Sequence, residues 1–113
     1  MFLAYRERRF ARRVIGQLLK SYATVSAEKP DLSRESLYRE VLMHTQLLDA
    51  SNVDQALWEA EDSVDEWTTH ANKVLGFRQV AHFVVMAQYR ATGRAGSVVS
   101  FRDIVYSLVP ADL

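Results

Sequence analysis

Asp62, Glu66 and His70 recur every fourth residue, so a helix running through Thr68 would carry two carboxylates and an imidazole on one face. Such a row can supply a divalent metal with oxygens and a nitrogen, although a complete site needs ligands from a second element. A solvated acidic face is the more ordinary outcome of this spacing. Glu40 and His44 form a second pair of this kind, and the Glu-x-x-His step of helical di-iron proteins is absent.

His82 lies in the most apolar segment of the chain, with Arg78, Gln79 and Met86 beside it on a helical wheel. Arg78, His82 and Met86 together could wall a small-molecule pocket, while the commoner fate of such a histidine is a core position with satisfied ring nitrogens. There is no cysteine, which removes thiol catalysis, disulfides and Cys-ligated zinc. No Ser, His and Asp set stands in a recognisable catalytic context, and Gly93 to Ser97 lacks the lysine of a phosphate loop and reads as a turn. Nothing argues for an enzyme, and no cofactor is implied.

Charge carries more information. The formal net charge is zero, yet residues 1–29 hold seven Lys or Arg against two acids, residues 49–66 hold seven acids and no base, and residues 73–102 hold five bases and no acid. Two arrangements follow. The acidic segment can lie beside one of the basic ones within the molecule, where each exposed pair contributes at most about 1 kcal/mol. Alternatively the blocks form surfaces for a charged partner, since such fields steer encounters more than they stabilise folds. Candidate interaction residues are Arg6, Arg8, Arg9, Arg12 and Arg13 on the basic side and Trp58, Glu59, Asp62 and Glu66 on the acidic side. Trp58 flanks the apolar stripe among acids, which suits an exposed anchor for a partner.

The near-neutral sequence pI of 6.8 argues against a dedicated nucleic-acid binder. An anionic membrane surface is a better fit to the basic cluster, because Met1, Phe2, Leu3 and Tyr5 adjoin five arginines like an interfacial anchor. No apolar run approaches the roughly 20 residues of a transmembrane helix. The absence of cysteine suits a reducing compartment, so the cytoplasm is the expected location, although an Arg-rich amphipathic start also describes a mitochondrial transit peptide.

The elements that position these residues are helices, because four glycines and two prolines in 113 residues leave long uninterrupted stretches. The spacing predicts a first helix over about 3–25, with Leu3, Phe10, Val14, Leu18, Tyr22 and Val25 inward and Arg6, Arg9, Arg13, Gln17 and Lys20 outward. A second follows over 34–48, capped by Ser33. A third starts with Ser51 as cap and breaks near Trp67 before a new start at Thr69 or Ala71, or else continues to Leu75 and ends at Gly76. The segment 77–91 is apolar on most sides and is expected at the centre, closed by Gly93. A last short helix begins near Ser100 and turns Phe101, Ile104, Val105 and Leu108 inward until Pro110. The expectation is one all-α domain over 1–113, a compact bundle of about five helices, acting as a protein-protein interaction module that associates with itself. A small metal- or ligand-binding helical protein or enzyme, and a peripheral membrane-surface protein anchored by the basic first helix, stand as alternatives.

Overall fold

The computed structural model describes residues 5–67, 75–93 and 101–113, apart from the side chains of 64–67. Five α-helices follow one another: α1 (Tyr5–Glu28), α2 (Arg34–Thr45), α3 (Ala50–Trp67), α4 (Phe77–Ala91) and α5 (Arg102–Leu108). There is no strand among the described residues.

Local chemistry explains most boundaries. α1 ends with the Lys29 amide on the Val25 carbonyl at 2.8 Å, just before Pro30, which cannot extend a helix. Ser33 caps α2, its hydroxyl accepting from the Ser36 amide at 3.3 Å. α2 stops at Thr45, three residues short of the sequence expectation. There the Thr45 hydroxyl donates to the Leu42 carbonyl and accepts from the Leu47 amide, and Gln46 takes a left-handed φ of 57°, so side-chain bonds replace the next helical turn. The cap of α3 is Asp49 and not Ser51. Its carboxylate accepts from the Asn52 amide at 3.0 Å and from the Ser51 hydroxyl at 2.9 Å. These bonds hold the Asp49 carboxyl below the usual range.

Gly76 opens α4, and residues 68–74, over which α3 was expected either to break or to continue, lie outside the described residues. Its amide donates to the Gln79 side chain at 3.1 Å, and a Cβ at this position would stand 2.7 Å from the same oxygen. α4 spans the predicted residues, and Gly93 beyond it has a φ of 74°, a conformation glycine adopts without strain. In α5 the inward residues are Phe101, Val105 and Val109, with Ile104 half-buried. Leu108 is 38% exposed, because the four-residue step from Val105 leads to Val109. The new start expected at Thr69 or Ala71, and Ser100, fall outside the described residues.

The helices pack as a closed ring in which α1 touches α2, α2 touches α3, α3 touches α4 and α4 touches α1, with α5 seated against α1 and α4. All five contribute to one buried cluster. α4 supplies Phe77, Val80, Ala81, Val84, Val85 and Tyr89 to it, which is why this segment reads as apolar on most sides. Aromatic rings fill both ends of α4. Phe77 packs 4.9 Å from Tyr22 and 5.4 Å from Tyr38, and Tyr89 packs 5.5 Å from Phe10 and 5.1 Å from Phe101. The enclosed Tyr38 hydroxyl donates to the Leu113 carbonyl at 2.9 Å, and burial, outweighing the opposing charge of Arg34, pushes its pKa up to about 12.

Candidate functional site

The fold sorts α1 into two faces. Glu7, Ala11, Val14, Ile15, Leu18, Ser21 and Val25 are buried, so the opposite side of the helix carries Arg9, Arg12, Arg13, Gly16 and Lys20, all exposed. Arg6 and Arg8 flank this face and are also exposed. Arg13 lies over the Phe10 ring at 5.4 Å, and Arg6 stands 3.8 Å from Glu7. Among the described residues no carboxylate forms an ion pair with Arg8, Arg9, Arg12 or Arg13.

α3 is divided the same way. Val53, Ala56 and Ala60 face the core, and the opposite face has Trp58 at its crest, with Asp54 one turn before it and Asp62 one turn after. Trp58 is 61% exposed, as its place among acids suggests. Glu61 is exposed beside it. Asp54 pairs with Arg39 of α2, the one ion pair that α3 makes among the described residues. Glu59 is half-buried, accepting from Gln55 at 3.1 Å. Glu66 lies on the last turn of α3, but its side chain is outside the described residues.

The packing order decides how these faces relate. α3 lies beside basic α4, as one sequence arrangement allows, but not against α1, which sits diagonally across the ring. No ion pair joins α3 to α4 among the described residues, because Arg78 points to α5 and Arg90 stands at an exposed groove rim. The basic and acidic faces therefore look outward from opposite sides of the molecule, and among the described residues the internal neutralisation of α3 is confined to Arg39. Between α3 and the C-terminal half of α4 runs an open groove of about 520 Å³, floored by Leu47, Leu48, Ala56 and Ala87 and rimmed by Asp49, Asn52, Glu59 and Arg90.

Arg78, His82 and Met86 have separate surroundings among the described residues. The Arg78 guanidinium donates to the Tyr106 and Val109 carbonyls, each at 3.1 Å, and covers the Tyr106 ring at 4.7 Å. It thus supplies donors to the C-terminal carbonyls of α5, which lack helical partners. The His82 ring meets Phe83 edge-on at 5.2 Å, and its buried Nε2 has no hydrogen-bond partner among the described residues. Burial, reinforced by the Arg102 charge, holds its pKa below the ordinary 6.5. Met86 is half-buried beside the core.

Asp62 lies on the outer face of α3, and His70 falls outside the described residues. Glu40 and His44 have separate partners: Glu40 meets Lys29 at 3.1 Å, and His44 Nδ1 is 2.9 Å from the Ser21 hydroxyl.

Sequence reading passes over one buried polar contact, between Glu7 and Tyr89. Glu7 is 9% exposed, one carboxylate oxygen accepts from the Tyr89 hydroxyl at 3.1 Å, and the other is buried without a partner among the described residues. The signal was present in the register, since Glu7 precedes Ala11 by four and Val14 by seven, on the inward stripe. No protein-family model, curated protein or solved structure matches the chain.

Proposed function

We propose that this chain is a non-catalytic helical interaction module that associates with itself through the outward faces of α1 and α3. One observation carries the reading: the two faces hold opposite charge, lie apart in the fold, and find almost no compensation among the described residues. Charged faces left open in this way steer encounter with a complementary surface and select against wrong ones. The exposed Trp58 adds the kind of large rigid side chain that anchors interfaces.

Light scattering at low and high salt tests this. A species heavier than a monomer that dissociates as salt rises is expected, because exposed charges more than about 10 Å apart are largely screened at 0.1 M. Converting Arg8, Arg9 and Arg12 to Glu should weaken that species, and a wild-type monomer at both salts overturns the reading.

A second reading rests on Tyr5, which is 70% exposed next to the arginines, as in a helix that touches an anionic lipid surface. Cosedimentation with anionic but not neutral vesicles, reversed by salt, would support it. Among the described residues no helix is long and apolar enough to cross a membrane.

A further inference from the structure

We infer that copies of this chain join head to tail, the arginine face of α1 on one copy seating over the Trp58 crest of α3 on the next. The inference rests on the self-association proposed above and adds its polarity. In a two-fold dimer the same patch serves both subunits, so α1 of each copy would have to reach α3 of the other at the same time. That requires both faces on one side of the molecule. Here α1 and α3 are diagonal members of the ring, each with its charged face turned away from the core, so a single partner cannot cover both. A contact between unlike patches leaves one basic face and one acidic face free at the two ends, and the assembly either extends or closes as a ring of more than two.

The chemistry of the two faces fits this pairing. A guanidinium from Arg9, Arg12 or Arg13 can lie flat on the exposed indole, which attracts cations through its ring face. Asp62 and Glu61 beside the ring then accept its N–H groups. Gly16 stands in the middle of the arginine face, and a Cβ there would meet nothing within 4 Å of its own molecule. Packing inside the monomer therefore gives no reason for glycine at a position where it weakens a helix, whereas close approach of a second backbone does.

Two variants with neutral substitutions separate the alternatives. Arg9→Gln/Arg12→Gln/Arg13→Gln removes the basic face and keeps the acidic one, and Trp58→Ala/Glu61→Gln/Asp62→Asn does the reverse. All six side chains are exposed, and thermal unfolding verifies that both variants fold. Sedimentation equilibrium should show wild type growing past the dimer with concentration, each variant alone as a monomer, and the equimolar mixture as a 1:1 dimer that grows no further. Wild type that stops at a dimer at every concentration overturns the head-to-tail geometry and leaves self-association standing. Folded variants that fail to pair on mixing, or that still assemble alone, also overturn it. A wild-type monomer throughout removes both the polarity and the reading beneath it.

Discussion

Polar side chains meet different fates on the two sides of this molecule. Where α5 meets α1 and α4, they are used up by the fold: Arg78 donates to two carbonyls of α5 and Tyr89 donates to the buried Glu7. On the outer faces of α1 and α3, arginines and carboxylates face solvent, and among the described residues of these two faces Asp54 alone is in an ion pair, with Arg39 of α2. An arginine at position 78 is thus a structural strut and one at position 9 is a free surface charge, although both come from basic stretches of sequence. Charge alone does not mark a working surface. What separates positions 78 and 9 is whether the fold supplies an internal partner among the described residues.

The largest test of this contrast is Arg78→Ala, which leaves two carbonyls of α5 without their charged donor. It should cost about 2–4 kcal/mol, read by denaturant unfolding. Tyr89→Phe strips Glu7 of its hydroxyl donor in a buried setting and should cost about 1–3 kcal/mol in the same assay. His82 adds a pH dependence. Its folded pKa lies below the ordinary 6.5, so the unfolded chain takes up a proton that the folded chain resists. This group leaves stability unaffected well above pH 6.5 and lowers it as pH falls below that value. His82→Leu should flatten that acid-side slope in thermal unfolding.

On the open flanks the monomer should be nearly indifferent. Gly16→Ala should raise stability by about 0.5–1 kcal/mol, because alanine favours helix and the added methyl meets open space. The same change should weaken association if the close approach inferred above holds. Trp58→Ala should shift monomer stability by less than about 0.5 kcal/mol, since its ring is mostly in solvent. A loss of several kcal/mol there would erase the distinction between the two sides.

Much of the architecture was legible before the structure. Phe77–Ala91 and the Ser33 cap follow from apolar periodicity and from the preference of a serine hydroxyl for free helical amides, both local in the chain. The errors were also local in origin. α2 ends early because Thr45 bonds its own backbone, and α3 is capped by Asp49 because its carboxylate takes the Asn52 amide, ahead of the amides a Ser51 cap would serve. At Leu108 and Val109 the helix is so short that one residue of register exchanges inside for outside. The exposed face of α3 was half legible: acids and Trp58 fall together on a wheel, but a wheel does not say what lies across from them.

The order of residues by itself determined that this chain is helical, which stripes turn inward, and that its charges are sorted into blocks. These follow from backbone periodicity and from interactions within a few residues of one another. Only tertiary structure decided that Arg78 is spent on α5, that Glu7 is buried against Tyr89, and that the α1 and α3 faces look away from each other. Those outcomes depend on which helices become neighbours, and that order is set by packing between residues far apart in sequence.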